Sequence, residues 1–411
     1  MALMVGMGQT LRLRVSAAAN EREEEFPLPA GWTASVRASR DRPALPASGI
    51  AKALANPIAS EPIAQAARGA RRAVLLVDDF RRPTPAETLC RALIGELRAA
   101  GLAGRQITIV LGNGAHRPMN RREVRARLGT VCNLVGRVVS HDAFSPQVTF
   151  LGLTPAGTPV LVNEAAGADF SVTISSVYPH GLAAWGGGAK MVLPGIAHIS
   201  TIHCHHRCVP SGPRGGSPGR CLSRLDIEAA GRLFGLTASL CAVVNSRREL
   251  CGLYYGDPTR AHRAAVALAR KVGDTPVGGD PPDLVIANAY PFDTDGSQYD
   301  KAQAPALQFG CPMLLLNHLA DPSPYHGLYH GPLGAYRRRA APQPPERTDD
   351  RLMSARVFLY SPQYGRGFAP ADQSWYCDHN WLRLMAAMSR RFPRAAVLVL
   401  PAAPLQLPRT V

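Results

Sequence analysis

The sequence predicts an α/β protein of two domains, each a mostly parallel or mixed sheet flanked by helices. Three observations carry this. From Ala73 onward, buried-strand runs alternate with amphipathic helix patterns: AVLLVDD then PAETLCRALIGELRAAGL, ITIVLGNG then NRREVRARLG. Such alternation argues for a parallel sheet covered on its faces. A second alternation starts after TPVGGDPPD, a Gly/Pro stretch that reads as a linker. Finally, 411 residues suffice for two or three domains of about 150 residues each. The expected units are 1–275 and 276–411.

In chain order, residues 11–15 and 32–38 read as strands, with an acidic loop at 21–25 between them and a Pro-rich linker after. The alternation follows from Ala73, with further strands at RVVSHD, PVLVN and FSVTISSV. LDIEAAGRLFGLTASLCAVVNS and the helix PTRAHRAAVALARKVG complete the first unit. In the second, DLVIANAY, PMLLLNH, RVFLYSP and AAVLVLP read as strands and 381–391 as a helix. The Arg/Pro-rich stretch 336–350 reads as a surface loop. Three polar clusters, DDFRRPTP, GNGAHRP and YPHG, fall at strand ends, where open α/β sheets gather their sites.

Hydrophobic residues make up 46% of the chain, but no apolar run approaches the ~20 residues of a membrane span. The start, MALMVGMGQTLRLRV, alternates like a strand and lacks the features of a signal peptide. Nine cysteines without framework spacing fit reduced thiols and a cytoplasmic protein. The formal charge of +16 would permit nucleic-acid binding, yet the arginines are dispersed, aromatics are only 6%, and no nucleic-acid motif is present.

Only four of the forty-six basic residues are lysines: Lys52, Lys190, Lys271 and Lys301. Where lysine persists against that arginine bias, its amine chemistry is a candidate requirement, because a guanidinium stays protonated and is a poor nucleophile. Lys190 lies in PHGLAAWGGGAKMVLPG, with His180 ten residues before it and His206 sixteen after, in HCHHRC. The glycine run is not a phosphate loop, since Met191 stands where Ser or Thr is needed and the first glycine is missing. Glycines here allow close backbone approach to a flat ligand and positive φ in the turn.

DDFRRPTP, GNGAHRPM, His141–Asp142, LGLTPAGTPV, PHGLAAWGGGAKMVLPG with His206 at its spacing, and SQYDKA together resemble the nickel-pincer lactate racemase family. The likeness runs over about 56–301 and weakens in the last hundred residues. It implies a two-domain α/β protein with the active site in the cleft between the domains. The implied cofactor is a pyridinium-3-thioamide-5-thiocarboxylate mononucleotide, joined through a thioamide to Lys190 and holding nickel with His206 as the protein ligand. Sulfur, carbon and imidazole donors suit square-planar nickel. The resemblance further implies His116 and His180 as acid/base residues, Arg82, Gln298 and Lys301 as substrate contacts, and Asp79, Gly187 and Gly188 beside the cofactor. A small 2-hydroxy acid and the enzymes that make the pincer are the implied partners; nucleic acid and membrane are not expected.

The residues support these roles. Histidine accepts and donates protons at neutral pH, and inverting a carbon requires service from both faces. A guanidinium grips a carboxylate through two parallel bonds, fixing the plane of a 2-hydroxy acid; the competing role for Arg82 is a salt bridge with Asp79. Two departures bear on substrate. Ala184-Trp185-Gly186-Gly187 replaces the family's Gly-Phe-Ser-Gly-Gly, and Ser297 stands where an aromatic is usual before Gln298, which favours a sugar-acid 2-epimerase as the runner-up. A late tryptophan of the family's site matches either Trp375 or Trp381. From different functional classes come a non-catalytic carrier of the nickel-pincer cofactor and a zinc hydrolase. A zinc site would draw on His203, Cys204, His205, His206, Cys208 and Cys221, whose order is wrong for paired ligand spacing and whose neighbours in an extended segment point apart; Cys204 and Cys208 read as buried thiols. His141 reads as a strand-end support, and His262, His318, His326, His330 and His379 carry no assigned role.

Overall fold

The computed structural model describes all residues except 1–6, 19, 297, 320, 322–324, 339–345 and 366–373. The chain forms two compact units, one comprising Arg42–Val272 with His326–Tyr336, the other Met1–Asp41, Gly273–Tyr325 and Arg337–Val411. This corrects the expected 1–275 and 276–411 division. The first forty-one residues belong with the C-terminal part because the strand Trp32–Val36 pairs in parallel with Ala395–Leu400 at the edge of its sheet. The Asp293 carboxylate also accepts the Ser16 and Ala17 N–H groups at 2.6 and 3.1 Å.

In the unit of Arg42–Val272, six strands run in the order Leu250–Gly256, Ala238–Val244, Phe170–Ser176, Ala73–Asp78, Ile107–Gly112 and Arg137–Ser140. All neighbours are parallel except the first pair. The strand Ala73–Asp78 is buried on both faces, which explains its unbroken apolar run. Leu75 and Val77 face the helix Ala86–Ala99 and its Leu89, Leu93 and Leu97; Val74 and Leu76 face Ala189, Val192, Leu193 and Ile202. Successive connections move outward from Ala73–Asp78 to one side and from Phe170–Ser176 to the other. The ends of these two strands form the switch point at which doubly wound sheets bind ligands.

The other unit holds six parallel strands in the order Tyr376–Asp378, Val357–Tyr360, Met313–Leu316, Leu284–Asn288, Ala395–Leu400 and Trp32–Val36. The helix Trp381–Arg391 buries Leu384, Met385 and Met388 on one face. The hairpin Met7–Val15/Arg22–Pro29 covers the same core through Leu11, Leu13, Phe26 and Leu28. The acidic run 21–25, expected as a loop, enters the strand Arg22–Pro29, where the Glu25 carboxylate accepts from the Arg12 Nε across the ladder. The segment after residue 41, expected as a linker, includes the helix Ser48–Ala55, and LGLTPAGTPV is an antiparallel hairpin, Val148–Leu153 with Pro159–Asn163. TPVGGDPPD begins with a short strand, Asp274–Val277, paired with Leu407–Thr410. The surface-loop reading of 336–350 falls partly on 339–345, outside the described residues.

Candidate active site

The turn after Ala73–Asp78 is built around a buried carboxylate. Asp78 accepts from the Thr84 hydroxyl, the Ser176 N–H at 3.2 Å and the Arg127 guanidinium, which also bonds the Arg82 and Thr84 carbonyls at 3.1 and 2.9 Å. Burial pushes the Asp78 carboxyl up, against the opposing charge of Arg127. The network ties DDFRRPTP to the end of the neighbouring strand and fixes the two residues of interest. The buried Asp79 pairs with Arg81 at 2.9 Å and, more loosely, with Arg82, whose Nε lies 3.8 Å from the other carboxylate oxygen, so the salt bridge weighed for Arg82 is present. Arg81 is fully buried, whereas the Arg82 side chain is 16% exposed and its guanidinium stands 5.8 Å from the Tyr178 ring centre. Of the adjacent arginines, Arg82 is the one that can meet a ligand.

The next strand, Ile107–Gly112, leads into a second turn. The Gly114 N–H bonds the Gly195 carbonyl at 2.9 Å, and Asn113 Nδ2 bonds Ser140 Oγ and the His141 carbonyl at 3.0 and 2.7 Å. His116 follows, half-buried, its ring perpendicular to that of His326 at 5.0 Å. Arg117 is committed to a bidentate pair with Glu123 at 2.8 and 2.6 Å. His141, fully buried, donates from Nε2 to the Ala197 carbonyl at 3.0 Å and accepts at Nδ1 from Asn163 at 3.3 Å, so its work is structural.

After Phe170–Ser176 comes the glycine-lysine turn. His180 Nδ1 accepts from the Leu182 and Ala183 N–H groups at 3.1 and 3.3 Å, so the neutral ring carries its proton on Nε2. Gly187 and Gly188 hold φ of 79° and 63°. A Cβ on Gly187 would sit 2.7 Å from the Ser176 carbonyl oxygen and one on Gly188 3.1 Å from the His262 ring, so glycine is required at both. A short 3-10 turn, Gly188–Met191, then presents Lys190, half-buried.

Two residues that carried no assigned role hold this turn in place. Arg224, fully buried, donates to the carbonyls of Trp185, Gly186 and Gly187. His262 lies beside it, with Nε2 2.9 Å from the Gly186 carbonyl and Nδ1 3.2 Å from Arg263 Nη1. The same Nε2 lies 2.8 Å from Arg224 Nη2, so the imidazole is wedged between two guanidinium groups and the Gly186 carbonyl. Burial holds the Arg224 pKa down at about 10, with Glu228 opposing, and holds His262 well below its ordinary value. Helical periodicity carries the missed signal: Arg224 lies three and seven residues from the buried Ile227 and Gly231, and His262 four and seven from the buried Val266 and Ala269.

HCHHRC lies in the helix Ile199–Cys208, not in an extended segment. The helix separates its histidines. His205 turns inward, to Asp226 at 2.7 Å and Ser223 at 3.0 Å. Burial alone would raise the Asp226 carboxyl, but hydrogen bonds from His205, Thr154 and Thr158 hold it below its ordinary value. His203 is exposed, as is Cys208, while Cys204 is half-buried, so these are not the buried thiols expected. His206 donates from Nδ1 to the Ile202 carbonyl at 2.8 Å, which places the lone pair of the neutral ring on Nε2. Burial, with the charge of Lys190 next, holds its pKa down at about 3. Among the described residues no three His, Cys, Asp or Glu side chains form a metal-holding group.

Gln298 and Lys301 belong to the other unit, at the start of the helix Tyr299–Ala306. Gln298 is buried, and Lys301 Nζ lies 3.5 Å from Asp300. The Tyr299 ring packs against Trp375 at 4.9 Å, whereas Trp381 is a core residue with its indole N–H on the Pro27 carbonyl. Trp375 is therefore the tryptophan beside this turn. Ser297 lies outside the described residues.

Asp79, Arg82, His116, His180, Lys190 and His206 thus share one unit, with the first five following the carboxyl ends of three adjacent parallel strands. Together they define an α/β protein of the doubly wound kind with a basic, histidine-rich site at its switch point. Residues 20–216 match the lactate racemase N-terminal domain. The chain is 26% identical over 315 residues to the lactate racemase of Thermoanaerobacterium thermosaccharolyticum, covering 74% of this chain and 72% of that protein. It is 26% identical over 293 residues to the lactate racemase of Lactiplantibacillus plantarum, covering 68% of each. The structure of the lactate racemase apoprotein from T. thermosaccharolyticum is similar with a TM-score of 0.69 at 19% identity, over 97% of this chain and 100% of that one. A Thermotoga maritima protein of solved structure gives 0.54 at 16% identity, over 86% and 99%. The chain is thus similar to lactate racemases in sequence over about 70% of its length.

Proposed function

We propose that this protein is an isomerase that inverts the second carbon of a 2-hydroxy acid, lactate or a close relative, with a nickel-pincer nucleotide carried on Lys190. The observation that carries the reading is the pairing of Lys190 with His206: a half-buried amine on a rigid turn, close enough for its charge to depress an imidazole whose Nε2 lone pair is fixed by the Ile202 carbonyl. That is the state a metal ligand needs. These residues fit the group the family implies, with the Lys190 amine forming its covalent link, His206 Nε2 completing the nickel set, and Gly187, Gly188 and Asp79 lying beside it. When bound, the cofactor supplies a hydride acceptor and donor.

The protein's own residues do the rest. Arg82 binds the substrate carboxylate, with Asp79 and Arg81 fixing its base. His116 and His180 handle the hydroxyl proton from the two faces of the substrate. The two are unequal at rest, because His180 accepts backbone N–H groups at Nδ1 and so meets a ligand as an Nε2–H donor; taking a proton at Nε2 means giving up those two bonds. The test is to produce the chain with the pincer-making enzymes and follow enantiopure lactate, longer 2-hydroxy acids and sugar acids by chiral chromatography. Inversion of a short 2-hydroxy acid supports the reading, and preference for sugar acids would make the protein an epimerase. Loaded protein that inverts none of them would be a carrier.

A further inference from the structure

We propose that His326 is a third imidazole of the site, a positioning residue that sets the ring plane of His116; the role in turnover rests on the racemase reading above. The chain leaves the unit of His116 at Val272 and returns to it only with His326–Tyr336. It is secured there by main-chain contacts: His116 and His326 form an antiparallel bridge, and the Gly327 N–H bonds the Ala115 carbonyl at 2.6 Å. A Cβ on Gly327 would lie 2.8 Å from the Phe144 ring, so glycine permits the approach.

The His326 ring is fixed on two sides. It meets His116 at 5.0 Å and 90°, and Tyr329 at 5.1 Å and 34°. Its backbone is fixed as well, since the His326 N–H donates to His330 Nδ1 at 3.0 Å, and the His330 ring packs on Tyr336 at 4.5 Å. A proton acceptor works along a lone pair in the plane of its ring, so orientation of that plane governs transfer. An edge-to-face neighbour on a main-chain bridge supplies that orientation.

The pair is tested in cofactor-free protein by the imidazole ¹H–¹⁵N correlations of His116, assigned with His116→Gln and compared among wild type, His326→Phe and His326→Ala. The expected result is a displaced or averaged His116 signal in His326→Ala and a signal near the wild-type position in His326→Phe, which keeps an aromatic edge on the same bridge. In loaded enzyme, His326→Ala should lower kcat about tenfold with KM and the Lys190 adduct little changed, and His326→Phe should recover most of that loss. Identical His116 signals in wild type and His326→Ala overturn the proposal, as does a full kcat in that variant. Should wild-type loaded protein invert no 2-hydroxy acid, the racemase reading fails, while the spectra of the cofactor-free protein still decide the pairing.

Discussion

His206 donates from Nδ1 to the carbonyl of Ile202, one turn earlier in the same helix, at 2.8 Å. This bond selects the tautomer that can bind a metal through Nε2, and it separates His206 from its neighbours. His206→Ala should release nickel, read by elemental analysis, while the organic adduct on Lys190 stays. His203→Ala, at an exposed position, should retain metal. His205→Ala should act differently: it removes one hydrogen-bond partner from the buried Asp226, which keeps Thr154 and Thr158, so loss of about 1–3 kcal/mol of stability is expected. Equal nickel loss from all three variants would favour a histidine cluster.

Lys190→Arg keeps a cation on the Gly188–Met191 turn but removes an amine able to form a thioamide. The variant should fold, show no mass increment on the peptide containing residue 190, and be inactive. An unmodified Lys190 in active wild-type protein would remove the covalent link from the account.

The clamp beneath that turn gives a third expectation. His262→Phe preserves ring volume but removes the ring nitrogen that faces both the Gly186 carbonyl and the Arg224 guanidinium, leaving one of these buried groups short of a partner. A cost of about 1–3 kcal/mol is expected in denaturant melts. The fraction of Lys190 modified per folded molecule should also fall. Unchanged modification at lowered stability would reduce Arg224 and His262 to packing.

How far the sequence shows this site depends on the kind of constraint. Residues whose chemistry is rare for the chain, such as Lys190 among the arginines, or which stand in ordered motifs, such as Arg82 and His116, are legible because composition and spacing mark them. The strands are legible for the same reason: residues 73–77 and 284–287 are apolar throughout because both faces are covered. Residues that act through long-range contacts are not. Arg224 touches Gly187 across 37 positions, and His326 meets His116 after an excursion of the chain through the other unit. Likewise, pairing of Trp32–Val36 with Ala395–Leu400 is set by tertiary packing that no local pattern records, so the unit boundary expected at 275 omitted the first forty-one residues.

His141 provides a pH signature. Burial holds its pKa at about 4 against an ordinary 6.5, so it remains neutral in the folded protein while the unfolded chain takes up a proton. The associated stability is present above pH 6.5 and lost as pH falls from there to about 4, a span worth about 3 kcal/mol. His318, also held at about 4 by burial, adds to the same window. His141→Asn should therefore be less stable than wild type at pH 8 yet show a shallower decline between pH 6.5 and 4. Parallel declines of the two proteins would show that His141 takes no part in acid sensitivity.

The last prediction separates hydride transfer from removal of a carbon-bound proton, two routes that yield the same inverted product. If hydrogen leaves the second carbon with its electrons, it returns from the bound cofactor without meeting an exchangeable nitrogen; only the hydroxyl proton passes through His116 or His180. If an imidazole instead removed the carbon-bound hydrogen as a proton, that proton would sit on a nitrogen that exchanges with water during turnover. Proton abstraction would also generate a carbanion beside an ionised carboxylate, which demands strong positive stabilisation from the site. Substrate deuterated at the second carbon should therefore give inverted product that keeps its label in ordinary water, with slower turnover where hydride transfer limits the rate. Extensive label loss in early product, measured by mass spectrometry before any keto acid enolises, would assign the chemistry to the two histidines and leave Lys190 and His206 without their proposed roles.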